Sequence, residues 1–188
     1  MSHPSSSVPR MRSGSSQGRL SAQDVTLMAL LLAVGAVLKV VTPPLGGISP
    51  NWIVALFTLA VLLVKPTYAQ GIGLGLVAGA VGMTVSKAPI PWFLLVSEPA
   101  AALVAVFLVR SGLHRSLRLG AVALGPLVVS ALVTFVSGLV FVGLTALFVP
   151  AAVFAAMITT VVVVSAVNAV ITEVLYLPSA RLLRRGEA

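Results

Sequence analysis

Two ionisable residues stand where an apolar sequence gives them least reason to be. Lys39 lies near the end of the apolar stretch 25–41, and Glu98 lies about two turns into the stretch that begins at Pro91. A charged side chain at the centre of a bilayer costs about 2.5–3.5 kcal/mol on insertion scales, so each asks for a reason. Lys39 has two readings, snorkelling to the headgroups or facing a pocket. Glu98 has two as well, pairing with Lys39 or Lys87 or facing that same pocket. A cation and an anion at one depth, open to the exterior, suit a zwitterionic ligand or one with a single carboxylate. Pro99 adds an acceptor, because a proline inside a helix frees the carbonyl of Leu95.

Other polar and aromatic residues fall into rows. Ser130, Thr134, Ser137 and Thr145 recur near spacings of three and four, with Phe141 among them, and Ser165, Asn168 and Thr172 do the same. Such stripes face the interior of a helix bundle, where hydroxyls and amides bond between helices. Asn168 reads as an interhelical hydrogen-bonding residue and Glu173 as the partner of a cytoplasmic arginine. Thr159 and Thr160 sit at pocket depth. Trp52 and Trp92 sit at helix ends as interfacial anchors, and Trp92, between Pro91 and Phe93, also offers a stacking wall.

Catalysis finds no support. The histidines are His3 and His114, the chain has no cysteine, and no HExxH or Gly-x-Ser-x-Gly pattern occurs. Thiolate metal sites and iron–sulfur clusters are thereby excluded, and the expectation is a protein without enzymatic activity, cofactor or metal. The glycines at 71, 73, 75, 79 and 82 read as a tight packing face. No Walker-type Gly-Lys-Ser/Thr follows them.

The elements that position these residues follow from composition. Hydrophobic residues make up 59% of the 188-residue chain and charged residues 9%, with a mean hydropathy of +1.12. That is too little polar surface for a soluble domain. The apolar runs reach the roughly 20 residues that span hydrocarbon as a helix. They do not alternate, so helices rather than a barrel are predicted. The expectation is an all-α, polytopic bundle of six transmembrane helices at about 24–41, 50–64, 68–86, 91–109, 119–149 and 150–177. The Ser-rich segment 1–20 reads as a disordered cytoplasmic tail before a retained first helix. Residues 21–183 form the membrane domain, and 184–188 a second cytoplasmic tail.

Charge sets the orientation. Arg10, Arg12, Arg19, Lys65, Arg110, Arg115, Arg118, Arg181, Arg184 and Arg185 fall on one side of the six predicted helices. Only Lys39 and Lys87 fall on the other. Cytoplasmic loops retain Lys and Arg, so both termini are expected in the cytoplasm, with the chain in the plasma membrane. The net charge of +8 is spread over short loops and tails rather than a continuous face, which argues against a nucleic-acid partner. The expected surroundings are a lipid bilayer and a small-molecule substrate.

The stretch Met28-Ala29-Leu30-Leu31-Leu32-Ala33-Val34-Gly35 carries an Ala-x-x-x-Ala pattern. With Gly47-Ile48-Ser49-Pro50-Asn51, Ser137-Gly138-Leu139-Val140-Phe141 and Val167-Asn168-Ala169-Val170, it resembles the substrate-binding S components of energy-coupling factor (ECF) transporters, most closely the tryptophan-uptake type. The resemblance runs from about 21 to 183. It implies a subunit that captures an amino acid or vitamin from outside and topples against a transmembrane T component, with two ATPases supplying energy. It also implies that Ala29 and Ala33 form the coupling face, and that Lys39, Asn51, Trp92, Glu98 and Thr159 contact the ligand. The rival readings are a stand-alone secondary transporter, for which no inverted repeat is found, and a structural or assembly membrane protein with no small ligand.

Overall fold

A computed structural model describes residues 20–44, 48–88, 90–119 and 122–185. Nearly all of the expected tail 1–20 and the end of the tail 184–188 lie outside the described residues, as do Gly46 and Gly47, expected to stop the first helix.

Among the described residues the regular structure is helical, apart from one pair of two-residue strands. Helix α1 covers Ala22–Val41, α2 Trp52–Val64 and α3 Tyr68–Val85. A 3-10 turn at Pro91–Phe93 leads into α4, Leu94–Arg110, and α5 is the short Leu113–Ser116. Strands β1, Arg118–Leu119, and β2, Val122–Ala123, precede α6, Gly125–Thr145, and α7, Ala151–Arg185. Among the described residues five helical stretches are long and apolar enough to cross a membrane, and Trp52–Val64 is a shorter apolar helix. The chain is a multi-pass membrane protein.

Local chemistry explains the boundaries. Ser21 and Asp24 form a capping box at the start of α1, and Thr67 and Gln70 do the same for α3. Helix α2 ends at Lys65 in the left-handed region, φ 55°. Two expected boundaries are corrected. The helix expected from 119 to 149 spans only Gly125–Thr145, because Arg118–Leu119 and Val122–Ala123 pair as antiparallel strands, Arg118 opposite Ala123. Pro126 belongs in the first turn, where its missing N–H costs nothing. A side chain at Gly125 would also collide with the His114 backbone. The last helix, expected to stop at 177–178, runs through Pro178 to Arg185. One proline removes one hydrogen bond, and the helix carries on past it.

Helix α2 is the axis of the bundle. Residues Ile53 to Leu62 are all buried, and α1, α3, α4, α6 and α7 all pack on it. A helix apolar on every side belongs inside. Its 13 residues span about 20 Å at a rise of 1.5 Å per residue, well short of the roughly 30 Å hydrocarbon core. Surrounded by longer helices, α2 leaves space above its first turn. Non-helical backbone at that depth is tolerated where protein buries it or a cavity is lined by it.

The seam between α3 and α4 uses the expected glycine face. A Cβ at Gly75 would lie 2.5 Å from Pro99 Cα, and one at Gly79 2.5 Å from the Leu94 carbonyl oxygen, so the backbones touch. Gly71 meets Val106 in the same row, whereas Gly73 faces open space.

Candidate functional site

The space above α2 is a cavity of about 300 Å³. It lies at the end of the bundle that holds Lys39, in the last turn of α1, and is walled by the 49–51 segment and by α6 and α7, with Ser86, Ala88 and Leu94 from the α3–α4 side. Its floor is built by hydrogen bonds from α7. The Asn168 side chain accepts from the Asn51 backbone N–H at 3.2 Å and donates to the Asn51 carbonyl at 3.0 Å. It also donates to Thr134 Oγ1 at 3.1 Å. Asn168 is fully buried, so losing a partner would strand a desolvated amide. One rung deeper, Ser130 and Thr172 share a hydrogen bond of 2.7 Å, and Thr172 donates to the Ala55 carbonyl at 3.4 Å.

The wall has a polar part and an apolar part. Lys39 lines the cavity, and among the described residues it makes no hydrogen bond and no ion pair within 4.0 Å. Asn51, Thr134, Ser137 and Thr160 bring amide and hydroxyl groups. Phe141, Val142, Met157, Val161 and Val164 supply the apolar part. Phe141 packs edge-on against Phe93, centroids 6.3 Å apart, and Phe93 lies 5.9 Å from Phe148. Gly138, between Ser137 and Phe141, sits against Val161. A Cβ there would come within 2.6 Å of that side chain, so the glycine keeps α6 close to α7.

The expected ligand-contact residues separate in space. Lys39 and Asn51 meet at the cavity. Glu98 is 2% exposed and stands behind the wall rather than in it, accepting from Ser137 Oγ at 3.2 Å and interacting with the Asn51 side chain. Glu98 and Lys39 interact electrostatically without forming a direct ion pair. Trp92 is 64% exposed and does not line the cavity. Thr159 is exposed, its hydroxyl bonded back to the Ala155 carbonyl, and its neighbour Thr160 is the one that lines the wall. Thr134, Ser137 and Phe141 belonged to a polar row legible in the sequence, but nothing in one row says which rungs meet a cavity. Asn168 bonds between helices as expected. Glu173 differs: its partner among the described residues is the Leu127 backbone N–H at 3.0 Å, so it caps α6 rather than pairing with an arginine.

A second cleft of about 540 Å³ lies at the opposite end, between α1, α2 and α7. Its charged groups are already engaged. Asp24 closes the α1 capping box, and Lys65 also has a partner. Among the described residues no group of three or more His, Cys, Asp or Glu side chains is placed to hold a metal ion.

A multi-pass helical bundle whose one end encloses a lysine with no direct ion pair among the described residues, a set of hydroxyls and a phenylalanine ring belongs to the class of membrane proteins that bind small molecules. The sequence model of a family described as tryptophan transporter TrpP matches residues 21–184. The chain belongs to that family, and the resemblance to the tryptophan-uptake type is borne out. It is a transport protein with a small-molecule substrate. No curated protein and no solved structure matches the chain.

Proposed function

We propose that this chain is the substrate-binding S component of an ECF-type importer, and that it captures tryptophan from outside in the cavity beside Lys39. The observation that carries the reading is the division of that cavity into a cationic, hydroxyl-bearing part and an aromatic, branched-apolar part. An amino acid with a large flat side chain has the same division. Lys39 takes the carboxylate, and Asn51 reads the polar end of the ligand. The indole lies against Phe141 with Met157 and Val161 beside it, in the offset or edge-on contact that aromatic pairs favour. A volume of about 300 Å³ stands at the lower end of the roughly 300–1,000 Å³ of small-molecule sites. Trp92 and Thr159 act only at the mouth.

In this reading the chain crosses the plasma membrane six times, with both termini in the cytoplasm. The charges support it: Lys65, Arg110, Arg115 and Arg181 gather at the end opposite the cavity, and Lys39 and Lys87 at the cavity end. Energy comes from two ATPases through a T component, in keeping with the lack of a nucleotide-binding motif in this sequence. Ala29 and Ala33 are exposed on α1, whose buried residues are Met28, Leu32 and Gly35. Small residues four apart let a partner helix come close. The chain itself performs no catalysis and holds no cofactor.

Mass spectrometry of ligand released from gently purified protein, followed by titration with tryptophan, tests the ligand. Tryptophan is expected in the released fraction, and a protein that neither carries nor binds it overturns the reading. Copurification tests the partners. Ala29→Trp should abolish association with the T component and ATPases while sparing tryptophan binding. Uptake by the chain alone in proteoliposomes would make it a secondary carrier instead.

A further inference from the structure

Among the described residues Glu98 is the one acidic side chain buried beside the cavity, and it does not line it. Its bonds run to two residues that do. Ser137 donates its hydroxyl proton to Glu98 Oε2 at 3.2 Å, and the Asn51 side chain interacts with the same carboxylate while its own Oδ1 stays unbonded. A carboxylate only accepts, so the Asn51 group facing it is the amide N–H. Both wall residues have thus turned their donors away from the cavity. What they keep is acceptor capacity, the lone pairs of Ser137 Oγ and the Asn51 Oδ1, which is buried with no hydrogen-bond partner. Thr160 is oriented alike, its proton given to the Ala156 carbonyl at 3.1 Å. The cavity therefore presents acceptors from three residues and a cation, Lys39, that has no direct partner among the described residues.

We infer that Glu98 is a positioning residue that sets specificity for a free α-amino group. By holding the protons of Ser137 and Asn51, it makes them an acceptor pair that an ammonium satisfies and a ligand without the amine leaves stranded. The inference rests on the tryptophan reading above and adds which end of the ligand each wall reads. The ammonium goes to Ser137, Asn51 and Thr160, and the carboxylate to Lys39. A site built to bond a donor discriminates strongly against an analogue lacking it, because its own buried acceptors then go unpaired.

The test uses the full chain in nanodiscs and three probes: tryptophan, indole-3-propionate, which lacks the amine, and tryptamine, which lacks the carboxylate. The intact chain should prefer tryptophan to indole-3-propionate by about tenfold or more. Ser137→Ala removes one acceptor. Glu98→Gln puts an N–H donor where an oxygen stood, which lets the Asn51 amide turn over. Both should bring that preference down by about tenfold while leaving the preference for tryptophan over tryptamine in place. Lys39→Met should do the reverse. A merely structural role would weaken all three probes together, and that result overturns the inference, as does an unchanged preference in Ser137→Ala. Failure of the intact chain to bind tryptophan is a different result and removes the reading beneath it.

Discussion

The two most extensive helix seams, α3 with α4 and α6 with α7, solve the same problem by opposite means. In the first, Gly71, Gly75 and Gly79 bring the backbones into contact, and nothing is left between them. In the second, hydroxyls and an amide join α6 to α7 along Ser130, Thr134, Asn168 and Thr172, and the seam opens at its Lys39 end into the cavity. Association in lipid gains nothing from burying apolar surface, so close packing and interhelical hydrogen bonds are the available means. The glycine seam yields rigidity without a site. The hydrogen-bonded seam accepts a gap at one end because its shape is fixed by directional bonds below that gap.

Breaking the glycine seam should have the largest effect. Overpacking costs about 1–3 kcal/mol where side chains can yield, and at Gly75 the obstacle includes the Pro99 backbone. Gly75→Leu should therefore leave no monodisperse protein on size exclusion, whereas Gly73→Leu, facing open space, should behave as the unmodified chain. Equal behaviour of the two would dissolve the contrast between the seams. Breaking the hydrogen-bonded seam should cost less stability and more function. Asn168→Leu strands the Asn51 and Thr134 groups, at about 1–3 kcal/mol for each buried partner left unpaired. Protein that still folds should bind tryptophan about tenfold or more weakly, measured by calorimetry. Full affinity in that variant would detach the cavity floor from α7.

This contrast was half legible in the sequence. Spans, the glycine face and the two polar rows follow from period and composition, and those signals are local. The bond between Asn168 and Asn51 joins residues 117 positions apart, so each row gave a polar face but not its partner. Pairing was also what hid Glu173. Its charge pointed to an arginine, while the nearer need was the first turn of α6, whose N–H groups lack partners within the helix. The strands Arg118–Leu119 and Val122–Ala123 lie among apolar residues that suit either state. Lys39 and Glu98 were recognisable from cost alone, but that Glu98 stands behind the wall depends on how α4 packs against α6.

Glu173 gives a smaller test of how the α6–α7 seam is anchored. Its Oε2 accepts from Leu127 at 3.0 Å, near the start of α6. Glu173→Leu should lower stability by about 1 kcal/mol, the usual cost of a lost N-terminal cap. Glu173→Gln, which keeps an acceptor but not the charge, should lose less. If both variants melt as the unmodified chain does, the α6–α7 seam does not depend on its cap.

The smallest expected effect lies below the seams, at His114 in α5, where the α4–α6 connection folds under the bundle. Burial pushes its pKa below the ordinary value, and the charges of Lys65 and Arg115 push the same way. The folded chain therefore keeps the ring neutral at a pH where the unfolded chain has begun to protonate it. Stability from this group is fully present above the ordinary histidine pKa of about 6.5. It declines as pH falls from there toward the lower folded value, since the unfolded state then binds more protons. His114→Leu removes that slope. Melting temperatures taken from pH 8 down to pH 5 should fall further for the intact chain than for the leucine variant. Other titrating groups shift both curves alike, so the difference isolates His114. Parallel curves would mean that the ring charges as readily in the folded chain as in the unfolded one, and that the α5 turn lies too loosely on α6 to desolvate it.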